Sequence, residues 1–414
     1  MQYKDSIKID ICRLCKSKNL IKVFDLGTTP LANSYCSKIK SLKLKKYPLA
    51  LNLCKNCGHL QLSISVEPKK MFQNYLYKTN TSKKNYDHFK KYYLKVSKLF
   101  KTKNIKVLDI ASNDGTFLNF FNSKKCLKVG IDPAKNLQTF AKRKGINQIC
   151  DFFTYKNSFY LKKKFTSFDL ITANHVCAHV ANLEDFFRGV SNIIQEKGYF
   201  IFEVSYRGSV IKKNTFDTIY HEHHDYHALR PLKKFVTKFG FKIVDFDILE
   251  AQGGSIRLYC TKNKNAKLNT VKINKQINYE TNKIKLFDIK TYKLFKGRVD
   301  KAKKEFKKII ENLMKRKLII IGYGAAAKTT TFMNYFKINE KQIKYIYDDN
   351  ELKQNLYMPG KNIKIINKKK LLSTKVNVLV ILAWNYADFI IKKNVTFRKK
   401  GGKFLIPFPK PKIV

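Results

Sequence analysis

The sequence predicts an α/β protein in three parts. These are a small cysteine-bearing module over residues 1–70, a doubly wound domain over 71–262, and a linker helix with a second α/β unit over 263–414. Three observations predict this. Two C-x2-C pairs stand near the N-terminus. Short apolar runs alternate with helical patterns from Ile105 to Cys260, which implies a parallel sheet. A second strand–glycine turn–helix pattern begins at Leu318.

In the first part, Cys12-x-x-Cys15 and Cys54-x-x-Cys57 offer four thiolates to one tetrahedral zinc. Gly58, just after the second pair, suits the tight turn such a knuckle needs. The 38 residues between the pairs leave room for an inserted hairpin. Four thiolates leave no open coordination position, so the expected zinc is structural. A redox dithiol would need only one pair. The other five of the nine cysteines, Cys36, Cys126, Cys150, Cys177 and Cys260, show no ligand spacing and read as ordinary small residues.

In the second part, residues 83–101 read as a basic helix. IKVLDIA is then a strand, SNDGT a turn, and FLNFF the opening of a helix. CLKVGID is a second strand, followed by a helix over about 134–144 and a strand near Gln148. FDLITAN, the helical LEDFFRGVSNIIQ and GYFIFEVS continue the alternation. A helix over about 231–239 leads into FKIVDFDIL and GSIRLYC, two strands close enough in sequence for an antiparallel insertion. Residues 262–315 read as linker and long helix. In the third part, YIYDDN, VLVILAWN and KFLIPFP supply strands after LIIIGYGAAAKTTTFMNYF.

Composition excludes some classes. Hydrophobic residues make up 44% of the 414, enough for packed cores rather than a disordered chain. No stretch approaches a transmembrane span, and the first residues show no signal-peptide pattern, so a cytoplasmic protein without membrane contact is expected. The net charge of +54 invites a nucleic-acid partner. Yet only nine of the 84 basic residues are Arg, and the lysines are spread along the whole chain. Codon bias in an AT-rich genome accounts for that pattern, and no specific nucleic acid is expected. A zinc-containing nucleic-acid-binding protein, or a methyltransferase acting on RNA or on another small metabolite, is the competing class.

The middle domain has the layout of an S-adenosylmethionine fold, whose ligand lies at the carboxyl ends of the strands. The loop Asp109-Ile-Ala111-Ser-Asn113-Asp114-Gly115 follows the first strand and suits the amino-acid part of that cofactor. Asp132, ending the second strand, suits ribose hydroxyls, or else caps a helix before Pro133. Half of the eight histidines fall within residues 221–227, in the run Tyr220-His-Glu-His-His-Asp-Tyr-His227. Imidazole suits proton abstraction near neutral pH, and a neighbouring carboxylate can orient it. Zinc binding by His221 and His223 is an alternative. His175 and His179 would share a face if their segment is helical. Gly322-Tyr-Gly324-Ala-Ala-Ala327 is a weak dinucleotide signal, with Asp348 and Asp349 placed where a ribose acid would be. The same turn would also suit a diphosphate alone.

From end to end, these motifs resemble a known family, the three-domain, zinc-containing, S-adenosylmethionine-dependent C-methyltransferases of nucleotide-linked deoxysugars. The matching segments are FDLGTTPLANSY, CKNCGHLQLS, NYLYKTNTS, DIASNDGTFL, ANHVCAHVANLEDF, DTIYHEHHDY, GGSIRLY, GYGAAAKTTTFMNY and GGKFLIPFPKPKIV. The resemblance implies a class I methyltransferase Rossmann-like domain between the zinc module and a C-terminal Rossmann-like domain that closes over a nucleotide-linked 4-keto sugar. It implies His223 as general base at the sugar C3, with Tyr220, Glu222 and His179 in support. It implies S-adenosylmethionine contacts from Asp109, Ala111, Asn113, Asp114, Gly115, Asp132 and Asn174. Tyr75, Tyr77, Gly253, Gly254, Ser255, Gly322, Gly324 and Lys328 would line the substrate site, and a monomer or weak homo-oligomer is expected. Four positions depart from the family pattern. Ala111 replaces a usual Gly, Ala326 a usual Pro, and Ala251-Gln252 a Thr-His pair.

Overall fold

The computed structural model describes residues 5–68, 71, 83–102 and 104–414. In the N-terminal module, β1 (Leu20–Pro30) and β2 (Lys46–Cys54) form an antiparallel pair, which supplies the inserted hairpin. Strand β3 (Leu60–Leu62) joins β2, and the two-residue strand Asp225–Tyr226 completes this sheet beyond β3. The module's sheet therefore ends on residues that lie within the histidine cluster.

The second sheet holds β4 (Lys106–Ile110), β5 (Leu127–Ile131), β6 (Asn147–Ile149), β7 (Phe168–Asn174), β8 (Ile194–Ser205), β9 (Lys242–Leu249) and β10 (Ser255–Thr261). Their order is β9-β10-β8-β7-β4-β5-β6. Strand β10 runs antiparallel to both its neighbours, as the sequence suggested, and the pairings from β8 to β6 are parallel. The central strands are almost wholly apolar because helices cover both faces. Strand order reverses between β4 and β7, so the carboxyl ends of these two strands flank the crevice where a ligand belongs.

Three local expectations change. FLNFF forms only a 3-10 turn, Leu118–Phe120. The helix Lys83–Val96 covers this part of the sheet instead, with Tyr92 stacked on Phe117 at 4.6 Å. The helix expected near 134–144 begins as a 3-10 turn and becomes α-helical over Gln138–Lys142. Residues 175–179 form turns, so His175 and His179 do not share a helix face. The structure adds a helix, Tyr155–Phe165, opened by a Thr154–Asn157 capping box and burying Ser158, Leu161 and Phe165.

In the third part, the order is β13-β12-β11-β14-β15, from β11 (Ile320–Tyr323), β12 (Tyr345–Tyr347), β13 (Lys364–Ile366), β14 (Val378–Ile381) and β15 (Lys403–Ile406). The long helix Ile289–Lys315 buries Tyr292, Phe295, Val299, Ala302, Phe306, Ile310 and Leu313, a continuous stripe. Burying each large side chain is worth about 1.5–3 kcal/mol. Propensity differences are below about 0.7 kcal/mol per residue, so packing decides this helix. Its stripe joins Phe24, Leu51 and Leu60 of the first module to Phe332 and Phe336 of the third part in one core. Among the described residues, no helix is long and apolar enough to cross a membrane.

Candidate active site

Both cysteine pairs sit on tight turns. Lys16 N donates to Cys12 O, and Gly58 N donates to Cys54 O. Lys16 and Gly58 both take positive φ, +64° and +79°. The turns converge, with Cys12 Sγ 3.6 Å from Cys57 Sγ and Cys15 Sγ 3.6 Å from Cys54 Sγ. All four sulfurs lie within 4.8 Å of one another. A tetrahedron of sulfurs about 2.3 Å from zinc has edges of about 3.8 Å, so the set fits this ion. Among the described residues, this is the one such group of His, Cys, Asp and Glu side chains. His221 Nε2 faces Pro48 O and His223 Nδ1 faces Thr218 O, so the alternative of a zinc site on those histidines is not what the fold builds.

Arg13, inside the first cysteine pair, ties the metal knuckle to two other segments. Its Nε donates to Asp225 at 2.9 Å, and Nη1 and Nη2 donate to Ala181 O at 2.7 Å and Val180 O at 2.5 Å. These carbonyls follow His179, and Asp225 lies within the histidine cluster. His59, just beyond the second pair, adds a 2.8 Å contact to Asp225 Oδ1. Asp225 is fully buried and held well below the usual carboxylate range by Arg13 and His59, which outweigh the cost of burial. Arg13→Ala would strand this charge and is expected to destabilise the protein by about 3–5 kcal/mol. Urea denaturation checks this, and Asp225→Asn added to Arg13→Ala should recover part of the loss.

Within the cluster, three histidines anchor the segment and one faces outward. His221 meets Pro48 O at 3.1 Å, His224 Nε2 meets Ser65 Oγ at 2.8 Å, and His227 is fully buried. His223 is partly exposed. Its Nδ1 donates to Thr218 O at 2.8 Å, which leaves the lone pair on Nε2. The Tyr220 hydroxyl donates to that nitrogen at 2.9 Å. Burial pulls the His223 pKa down to about 4, so the ring is in its proton-accepting form at neutral pH. The His179 ring stands 4.8 Å from the His223 ring, centroid to centroid. The carboxylate expected beside His223 lies elsewhere. Glu222 accepts from Asn33 Nδ2 of the first module at 2.7 Å, and burial raises its pKa to about 7. A backbone carbonyl therefore orients His223, and Glu222 fastens the module loop.

At the crevice, Asp132 accepts from Asn113 N at 2.9 Å and from Ala134 N at 2.8 Å. It both shapes the loop and caps the following turn, yet each oxygen keeps a further lone pair for a ligand. Asp109 is buried at the end of β4, bonded to Thr172 Oγ1 at 2.6 Å, and burial lifts its pKa to about 7. Asp114 turns back onto Thr116 N and Oγ1, so it holds the loop rather than facing the crevice. Asn174 Oδ1 is buried without a hydrogen-bond partner, an acceptor that suits a ligand ammonium or amine. Gln148 Nε2 is also buried without a partner, and the sequence reading did not single out this residue.

The loop carries positive φ at Ala111 (+56°), Asn113 (+52°) and Gly115 (+73°). Ala111 therefore keeps the left-handed backbone that a glycine would adopt freely. That conformation costs a non-glycine residue about 1–2 kcal/mol, whereas an added glycine loses about 0.4–1 kcal/mol through the unfolded chain. Ala111→Gly is thus expected to stabilise the protein, by up to about 1 kcal/mol, measurable by denaturant unfolding.

Three family models match the chain in order. A zinc binding domain matches residues 12–72, a methyltransferase domain 85–245, and a C-methyltransferase C-terminal domain 250–409. This order agrees with the four clustered sulfurs and the crevice of the second sheet. The chain is an S-adenosylmethionine-dependent C-methyltransferase. It is 26% identical over 408 residues to C-methyltransferase NovU of Streptomyces niveus, covering 98% of this chain and 97% of NovU. Solved structures with similarity include the PH0226 protein of Pyrococcus horikoshii OT3, at 14% identity over 47% of this chain and 97% of that one, with a TM-score of 0.37. Magnesium protoporphyrin IX methyltransferase of Synechocystis PCC 6803 with bound SAH is another, at 13% identity over 44% and 83%, with a TM-score of 0.33. The C-methyltransferase uses S-adenosylmethionine as cofactor and carries structural zinc.

The third part of the C-methyltransferase meets this site through Trp384, whose Nε1 donates to Asp217 Oδ2 at 2.7 Å. Lys328 lies 4.3 Å from the Trp384 ring centroid and donates to Asn385. A Cβ on Gly253 would stand 2.8 Å from Trp384, so this glycine lets the two domains approach. Several expected substrate contacts have other uses. Space against Gly322 and Gly324 is taken by Leu382 and Ala383, 2.6 Å from where a Cβ would be. Gly254 makes room for Ser209, and Ser255 is fully buried with its hydroxyl on Glu203 at 2.6 Å. The expected ribose acids are also engaged. Asp348 accepts from Ala325 N at 2.6 Å, and Asp349 from Tyr347, Tyr323 and Lys393. Tyr75 and Tyr77 lie outside the described residues.

Proposed function

We propose that this C-methyltransferase acts on a nucleotide-linked 4-keto deoxysugar and transfers a methyl group to the sugar C3. The single observation that carries the reading is His223, oriented by Thr218 O with its Nε2 lone pair held by Tyr220, beside His179 and next to the cofactor crevice. The full-length motif resemblance supports the sugar class. A 4-ketone acidifies the C3 hydrogen, and a neutral imidazole is the group to take it. Substrate entry displaces the Tyr220 hydroxyl from Nε2. The C3 proton moves to His223 Nε2, and the C–H electron pair becomes the enolate double bond. Bound S-adenosylmethionine supplies the electrophilic methyl group.

Asp132, the 111–115 loop and Asn174 hold the cofactor on this reading. Asp132→Ala is expected to weaken S-adenosylmethionine binding by roughly 1–3 kcal/mol, read by calorimetry. Gly253 and Lys328 line the sugar-nucleotide cleft between the second and third parts. With Gly322 and Gly324 packed against Leu382 and Ala383, Lys328 is the remaining candidate here for the diphosphate. A panel of nucleotide-linked keto sugars, incubated with S-adenosylmethionine and read by mass spectrometry, tests the function. The expected result is a gain of one methyl group on a 4-keto sugar. Methylation of RNA or of a free metabolite, with every sugar unchanged, would replace this reading.

A further inference from the structure

Glu203 on β8 is fully buried and gathers four side chains from three segments. Its Oε2 accepts from Arg257 Nη2 at 2.6 Å and Nε at 3.1 Å, and lies 3.1 Å from His88 Nε2. Its Oε1 accepts from Ser255 Oγ at 2.6 Å and faces His175 Nε2 at 3.2 Å. A carboxylate only accepts, so Nε2 carries the His175 proton and Nδ1 the lone pair. Among the described residues, Nδ1 has no hydrogen-bond partner, and the side chain is 25% exposed. The backbone repeats the attachment, since His175 N donates to Glu203 O at 2.7 Å.

His175 also has φ +56°, a conformation that costs a histidine energy and persists only where the surroundings enforce it. It stands directly after Asn174, at the carboxyl end of β7. A charge on its ring would act on both His179 and His223. Two neighbouring histidines are thus kept neutral by burial, and a third has a carboxylate behind it. A proton added at Nδ1 would give an imidazolium paired with Glu203, its second N–H directed away from that carboxylate.

We propose that His175, as an imidazolium held by Glu203, is the catalytic hydrogen-bond donor to the enolate oxygen, with Glu203 as its positioning residue. This rests on the keto-sugar reading above. When His223 takes the C3 proton, the C–H pair forms the C3–C4 double bond and the carbonyl pair moves onto oxygen. His175 Nδ1–H donates to that oxygen. As the enolate carbon takes the methyl group, the ketone re-forms and His175 keeps its proton. The groups acting on the His175 charge are Glu203, Arg257 and His88 on one side and His179 and His223 on the other.

The test uses zinc-loaded protein with a demethylated cofactor and a 4-keto sugar that the wild type accepts, following exchange of the C3 hydrogen in deuterated water. His175→Asn suits a positive φ, since Asn tolerates that region. It should slow exchange by about 10²–10³-fold, the usual loss for one oxyanion donor. Glu203→Gln should also slow exchange, and in nitrogen-15 spectra it should lose the His175 Nδ1 proton that the wild type shows. Nitrogen-15 spectra of histidine-labelled protein with the demethylated cofactor should show His175 charged at neutral pH. Exchange within about threefold of wild type in His175→Asn, or a neutral His175 in those spectra, overturns the proposal alone. A wild type that exchanges no C3 hydrogen with any keto sugar overturns the sugar reading, and this proposal with it.

Discussion

His223→Asn is expected to lower kcat by roughly 10²–10⁴-fold, the usual contribution of a general base. KM should change little, because the lost interaction belongs to the transition state. Asparagine keeps a polar group near Thr218 O but supplies no nitrogen lone pair to accept the proton. The residues around the ring make the result interpretable. Tyr220 and His179 both border it, so either could be the base instead. C3 hydrogen exchange separates them. If exchange survives in His223→Asn and disappears in His179→Asn or Tyr220→Phe, the base is one of those residues. His221, His224 and His227 should behave differently. They face Pro48 O, Ser65 and the buried interior, so their loss should lower stability first.

Losing the metal should be the largest effect on stability. Structural zinc binding is worth about 10–16 kcal/mol in small isolated domains. Here the first module also shares a core with the long helix and the third part, so part of its packing should survive metal loss. Cys54→Ser is expected to drop zinc well below one ion per chain and to lower stability by several kcal/mol, on the scale of that binding energy. Metal analysis and urea denaturation read both. Activity should fall as well, even in the fraction that remains folded. Arg13 connects the first knuckle to the carbonyls after His179 and to Asp225 after His223, so a loosened knuckle releases both histidine segments. A folded, metal-free sample with full activity would contradict this link.

The parts of the fold that were legible are those written in local pattern. Cysteine spacing, strand-end acids and the alternation of strands with helices all survive in the structure. Lysine hid other elements. The stripe Ser158, Leu161 and Phe165 sits among so many lysines that its helical period does not stand out. Pairing across long sequence distances was also invisible. Arg13 finds Asp225 more than 200 residues away, and Glu203 gathers His88, His175, Ser255 and Arg257 from three separate segments. The packing of the third part's glycines was invisible for a related reason: Leu382 and Ala383 fill the space where a Cβ would stand at Gly322 and Gly324.

Carbon methylation of the keto sugar is tested most directly by where a labelled methyl group arrives. The protein is incubated with S-adenosylmethionine carrying a carbon-13 methyl and with the accepted nucleotide-linked 4-keto sugar, and the product is read by NMR. The account predicts a methyl carbon bonded to C3, correlated with C2 and C4 of the sugar, with the C3 hydrogen gone. A methyl signal on oxygen or nitrogen, or a C3 hydrogen still present in the methylated product before any further exchange, would contradict it.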